Sequence, residues 1–165
     1  PKKAESCIAI GMGTLSKGNE HSSCVAIGQS AMYGAGNGKY KDSVAIGVNA
    51  GYYGGAQSSS NVFIGASAGY KTSGYMNTFI GGNTAQFATG HTCTAIGAQA
   101  STESYNGCVA IGYQAKNTKN NQVVLGADTN VETVLKGDLI VRGTDGVKRQ
   151  IVFNADGTCS WTEVS

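Results

Sequence analysis

One short phrase, Val-Ala-Ile-Gly or a near copy of it, returns eight times in this chain, and its glycine sets the register. The copies end in Ile10-Gly11, Ile27-Gly28, Ile46-Gly47, Ile64-Gly65, Ile80-Gly81, Ile96-Gly97, Ile111-Gly112 and Leu125-Gly126. Successive glycines lie 17, 19, 18, 16, 16, 15 and 14 residues apart. A fixed phrase with a variable spacer describes a solenoid. Each unit is too small to bury a core alone and stacks on its copies, while differences in length go into loops on one side. A small residue stands three positions after each glycine: Thr14, Ala31, Ala50, Ala68, Thr84, Ala100, Ala115 and Thr129.

Within a unit the pattern alternates with period two, as a strand demands. Val44 and Ile46 face one way and Ala45 the other, and the same holds for Val25/Ile27 about Ala26. The branched pair is expected to fill the inside of each coil. The Ala position, with Cys two residues earlier, is then expected to face outward. Two non-polar faces on one strand require that both be covered, so a second copy of the chain is expected against the Ala and Cys face. Phe63 and Phe79 replace Ala in the two middle units and are expected to widen that interface. The glycine is expected to turn the chain sharply between coils, where positive φ is favoured. Eight coils at about 4.8 Å give a shaft on the order of 40 Å.

Composition narrows the class. The chain has 165 residues, 25 of them Gly and only one Pro, without the triplet period that collagen requires. Twelve basic residues against ten acidic ones leave no electrostatic footprint of a nucleic-acid binder. No apolar run reaches the roughly 20 residues of a membrane helix. The first unit begins within a few residues of Pro1, which points to a piece of a longer protein. Of five cysteines, Cys7, Cys24, Cys93 and Cys108 share one slot four residues before the glycine, and Cys159 stands apart. A recurring slot is a packing signature, and unpaired thiols fit assembly in a reducing cytoplasm.

The array is expected to span residues 6–130. The segment 136–165 changes character: Asp145-Gly146 and Asp156-Gly157 separate the runs Asp138–Arg142, Val147–Phe153 and Thr158–Val164. This predicts a three-stranded antiparallel meander. Thirty residues are too few to hold a core alone, so Leu139, Val141, Ile151, Phe153 and Trp161 are expected to form a cap shared between copies.

The phrases "SVAIGVNAGYYGG" and "CVAIGYQAKNTKNNQVVLGA" resemble the head repeats of trimeric autotransporter adhesins of the YadA kind, and "NVFIGASAGYKTSG" and "NTFIGGNTAQFATG" look like repeats of phage and prophage tail fibres. The resemblance covers roughly residues 6–130. It implies an all-β, left-handed parallel β-roll or β-solenoid of about eight coils, associated as a homotrimer. The C-terminal segment looks like a tail-fibre tip. No heptad pattern appears in this sequence, and the unpaired cysteines suit a virus-derived fibre. The resemblance therefore implies the distal receptor-binding region of a phage-type tail fibre, carried on the virion and attached to a bacterial surface glycan or protein. The alternatives are the head of a trimeric adhesin on a bacterial surface, binding host matrix or cells, and a structural shaft with no specificity of its own.

Chemistry-bearing residues are sparse. His21 and His91 sit in polar spacers without metal-ligand spacing and are expected to be solvated. No nucleophile elbow is present. Neither enzyme activity nor any metal or cofactor is expected, with a depolymerase using carboxylates across a subunit boundary as the one enzymatic form left open. The aromatics say more. Tyr33, Tyr52 and Tyr70 stand five residues after their glycines and Phe87 six, which predicts a ladder over four coils. It serves either as a packed seam or as flat faces for sugar rings. Lys39, Tyr40, Lys41, Tyr53 and Tyr75 lie in the long spacers, with the composition of adaptable recognition loops. Together with the ladder tyrosines they are the candidate ligand-binding residues, on a face spanning residues 29–92.

Overall fold

A computed structural model describes residues 3–17, 20–34, 39–55, 58–129, 140–142, 147–153 and 158–163. The described residues are all-β and contain no helix. They fall into two compact units, Pro1–Asn130 and Val131–Ser165.

The first unit is a parallel β-solenoid of about seven turns. In chain order its strands are β1 (Lys3–Glu5), β2 (Ile8–Ile10), β3 (Glu20–Ser22), β4 (Val25–Ile27), β5 (Tyr40–Lys41), β6 (Val44–Ile46), β7 (Ser58–Ser59), β8 (Val62–Ile64), β9 (Thr78–Ile80), β10 (Thr94–Ile96), β11 (Val109–Ile111) and β12 (Val123–Leu125). The glycine-terminated phrases form one eight-stranded parallel sheet, in the order β2-β4-β6-β8-β9-β10-β11-β12. Its register is strict: Ala26 pairs with Ala45, Ala45 with Phe63, and Phe63 with Phe79. A second parallel sheet, β1-β3-β5-β7, runs beside the early coils. It follows from spacer length. Glycine intervals of 17 to 19 residues hold a second strand, and those of 16 or fewer hold none.

The faces are the reverse of the sequence expectation. Ala26, Ala45, Phe63, Phe79, Ala95 and Ala110 are fully buried inside the coils, with Cys24, Cys93 and Cys108 on the same side. The branched residues point out: Ile8 is 54% exposed and Ile64 is 36% exposed. The inward strand positions are taken mainly by small residues, Ala at four of the six, and the larger interior side chains come from Phe63, Phe79 and the corners.

The interior combines large and small side chains. Leu15 and Met32 are buried in coils where the strand supplies Ala. Where the strand supplies Phe63, the flanking corner positions are Gly51 and Gly69, and a Cβ on either would meet the ring at 2.8 and 2.5 Å. Phe63 and Phe79 therefore widen nothing between chains; their rings meet inside the solenoid, 5.8 Å apart and tilted by 31°.

The repeat glycines do take positive φ, and they have a second reason to be glycine. At Gly47 (φ +135°) a Cβ would lie 2.6 Å from the Gly65 carbonyl oxygen of the next coil. The column permits backbone-to-backbone approach. Two residues on, Ser30, Asn49, Ser67, Asn83, Gln99 and Gln114 occupy the left-handed region at φ 55° to 60°, where short polar side chains are enriched. The Ala that follows returns its N–H to the glycine carbonyl, as Ala50 does to Gly47 at 3.3 Å.

One further column runs through the interior. Asn61 Nδ2 donates to the Gly74 carbonyl and Asn77 Nδ2 to the Gly90 carbonyl, at 2.9 and 3.0 Å. Their Oδ1 atoms accept the N–H of Asn77 and of Cys93. Asn occupies the cysteine slot only in the two Phe coils, where it satisfies buried backbone groups that would otherwise be costly.

In the second unit, β13 (Ile140–Arg142), β14 (Lys148–Phe153) and β15 (Cys159–Glu163) pair antiparallel in that order. Ile151 faces Trp161 across the ladder, and Arg149 lies 3.7 Å from Glu163. Leu139 and both Asp-Gly turns lie outside the described residues, as do the side chains of Val141 and Phe153.

Candidate functional site

The corner after each repeat glycine generates two parallel side-chain columns. Backbone bonds fix them: Lys17 N–H donates to the Tyr33 carbonyl, Gly34 to Tyr52, Tyr53 to Tyr70, and Lys71 to Gln86. One column is thus Tyr33, Tyr52, Tyr70 and Gln86. The other is Gly34, Tyr53, Lys71 and Phe87. The predicted four-ring ladder is a three-ring ladder, because Phe87 falls one position outside it.

The three rings are close to parallel. Tyr33 and Tyr52 are 4.8 Å apart with planes 5° from coincidence, and Tyr52 and Tyr70 are 5.2 Å apart at 2°. Tyr53 stands edge-on to both, 4.4 Å from Tyr52 and 5.6 Å from Tyr70. Lysines close the ends, with Lys17 Nζ 5.7 Å from the Tyr33 ring and Lys71 Nζ 6.0 Å from that of Tyr70. Burial, and then the neighbouring Tyr53 phenol, push the Tyr52 phenol above its ordinary value. The ladder faces are turned on one another, so edges and hydroxyls are what the seam offers to solvent. This is the geometry of a structural seam, with each stacked pair contributing roughly 0.5–1.5 kcal/mol.

The remaining candidates separate. Tyr40 is a correction: it is 1% exposed and cannot touch a receptor. Its hydroxyl donates to the Gly51 carbonyl and accepts the Gly54 N–H, and burial pushes its phenol well above the ordinary range. It lies against Gly54, where any Cβ would overlap the phenol ring, and that glycine was the overlooked signal. Lys39 lies on the surface, 3.0 Å from Glu20, and Lys41 is 3.9 Å from Asp42, exposed pairs that contribute little stability. Tyr75 is exposed and packs away from the ladder, its ring 4.1 Å from that of His91 and nearly parallel to it.

Neither histidine is a freely solvated loop residue. His21 is 1% exposed, and its Nδ1 accepts the Tyr40 N–H at 3.3 Å. Desolvation by burial lowers its pKa. His91 is half-buried beneath Tyr75. Among the described residues no three His, Cys, Asp or Glu side chains are grouped to hold a metal ion.

Beyond the ladder lies an open groove of about 390 Å³, lined by Asn83, Gln86, Phe87, Gln99, Ser101 and Glu103. Sequence reasoning counted Phe87 six residues after Gly81 yet placed it in the ladder, and so missed its role as one wall of this groove; the one-residue offset was the signal.

Compared with family models, curated proteins and solved structures, the chain matches none of them.

Proposed function

We propose that three copies of this chain associate through the Val and Ile face of the eight-stranded sheet. They would form the distal receptor-binding region of a phage-type tail fibre, attaching to a bacterial surface structure, with glycan as the receptor class. The observation that carries the reading is the apolar face itself. Ile8, Ile10, Ile46, Ile64, Ile96, Ile111, Val123 and Leu125 are all at least 36% exposed in the single chain, and they lie in register along one sheet. A contiguous apolar surface of this kind marks an interaction site, and its rung-by-rung repetition suits a partner with the same repeat. The interface is thus the branched face and not the Ala and Cys face. The number three, the left-handed winding and the virion location rest on the resemblance of the repeats. The C-terminal strands would serve as tip or cap.

The test has two steps. The mass in solution is measured by light scattering for the wild type and for Ile46→Glu/Ile64→Glu. A three-chain mass for the wild type, lost in the variant, supports the reading; a single-chain mass with intact β structure overturns it. The labelled assembly is then applied to bacterial strains and to mammalian cells. Strain-restricted bacterial binding supports the fibre, and mammalian binding moves the assignment to an adhesin head.

A second reading has its own observation. The tyrosine faces are used up in stacking on one another, which favours a structural shaft. Absence of binding to every cell tested would select it.

A further inference from the structure

We propose that the groove beside Phe87 holds one neutral pyranose unit of a surface polysaccharide. This deepens the receptor-binding reading and rests on it.

The argument begins with the side-chain columns. In the outer column the order Tyr53, Lys71, Phe87 places one cation between two aromatic rings, with Lys71 Nζ 5.5 Å from the Tyr53 centroid and 5.9 Å from that of Phe87. The ammonium takes up part of the Phe87 surroundings only. Phe87 remains 64% exposed, and among the described residues no other ring stacks on it. It is the aromatic of this face whose surface is not consumed by a neighbouring ring. A pyranose presents a patch of axial C–H groups that packs on such a surface while its hydroxyls project sideways.

The sideways groups are in place. A hydroxyl both donates and accepts, and primary amides offer both functions. Gln86 Nε2 donates to Asn83 Oδ1 at 3.0 Å, and Gln114 Nε2 donates to Gln99 Oε1 at 2.8 Å. These bonds fix the amides and leave the Gln86 carbonyl and the Asn83 and Gln99 NH₂ groups for a ligand. Ser101 Oγ and Glu103 Oε1, 3.2 Å apart, complete the wall. An apolar face with a few oriented polar groups is the composition of a small-ligand site.

Charge favours the neutral class, because the charged groups at the groove are already engaged. The Glu103 carboxylate lies 2.9 Å from Lys116 Nζ, and the Lys71 ammonium sits among the Tyr53, Tyr70 and Phe87 rings at 5.5 to 6.0 Å. The scaffold is rigid, because Gln86, Ser101 and their neighbours are tied coil to coil by backbone bonds such as Ala85 N–H to the Ala100 carbonyl at 2.8 Å.

The experiment uses the assembled protein on an array of purified bacterial polysaccharides, with saturation-transfer NMR on millimolar methyl glycosides of glucose, galactose, mannose and N-acetylglucosamine. Wild type is expected to bind a neutral glycan. Phe87→Ala should weaken that binding by at least roughly tenfold, Gln86→Ala should weaken it in the same direction, and Phe87→Tyr should keep it, because a ring face is what the sugar needs. All variants should retain the wild-type mass. Glycan binding that survives both Phe87→Ala and Gln86→Ala overturns the groove and leaves the receptor-binding reading standing. Binding restricted to acidic glycans, or binding to cells but to no purified glycan, overturns the neutral-sugar assignment alone. Binding to neither cells nor glycans overturns both.

Discussion

The Tyr40 hydroxyl crosses the interior of one coil to donate to the Gly51 carbonyl, eleven residues further along the chain. The ring lies against Gly54, where a Cβ would overlap it, and the Gly54 N–H closes the second bond to the same oxygen. A residue that looked like a recognition tyrosine is therefore a core strut.

Tyr40→Ala should destabilise the solenoid by about 3–5 kcal/mol through the cavity it leaves. Tyr40→Phe keeps the volume but orphans the Gly51 carbonyl and the Gly54 N–H, and should cost about 1–3 kcal/mol. Thermal melts followed by circular dichroism would read both. A Tyr40→Phe protein that melts with the wild type would show that the two bonds contribute nothing.

Two glycines two coils apart in the fold should respond differently. Gly47→Ala brings a Cβ to 2.6 Å from the Gly65 oxygen at a φ of +135°, and backbone strain of this kind costs of order 1–3 kcal/mol before any separation of the coils. Gly82→Ala meets nothing within 4 Å and should stay within about 0.5 kcal/mol of wild type. Equal melting temperatures for the two variants would contradict the close-approach account.

Acid should loosen the N-terminal coils first. Burial lowers the His21 pKa below the ordinary imidazole value of about 6.5, so the unfolded chain takes up a proton before the folded one does. Stability is complete above the unfolded pKa and is lost as pH falls through that value toward the folded one. Protonation at Nδ1 also destroys the acceptor of the Tyr40 N–H. Hydrogen exchange at Tyr40 and Lys41 should accelerate as the pH falls below about 6.5, and His21→Gln should flatten that dependence. Exchange in wild type that is indifferent to pH, once corrected for the intrinsic rate, would refute it.

The thiols should divide by burial. Burial pushes the Cys24 thiol up to about 11 and raises that of Cys93, whereas Cys159 is exposed. Only the thiolate reacts. Iodoacetamide near pH 8 should therefore modify Cys159 promptly and reach Cys24, Cys93 and Cys108 only after unfolding, as read by peptide mass spectrometry. Rapid labelling of Cys24 in the native protein would place the cysteine row on the outside after all.

That last outcome touches what the sequence could and could not reveal. The repeat, its parallel strands and the stacking of Tyr33 on Tyr52 on Tyr70 were legible, because glycine spacing fixes which residues share a column. The direction of the faces was not. Alternation shows that Ala45 and Ile46 point opposite ways, and hydrophobicity suggests that the larger residue goes inside. The interior space is instead shared with side chains from the corners such as Leu15 and Met32, so small residues occupy most inward strand positions and the branched ones are turned out. Tyr40 was misread for a different reason: the space it fills is left by Gly54, which is near only once the coil closes. Phe87 was misassigned by a single position, since a ladder tolerates no fractional step.

The strict column register has a consequence for how such a chain can change. Spacers of 14 to 19 residues all return to the same glycine column, so lengthening a loop moves no other rung. A whole unit can be added or removed with both sheet faces still in phase. Length and surface chemistry are thereby uncoupled. The solenoid behaves as a ruler whose graduations are fixed in pitch but free in number, while the markings on its edge can be rewritten one at a time.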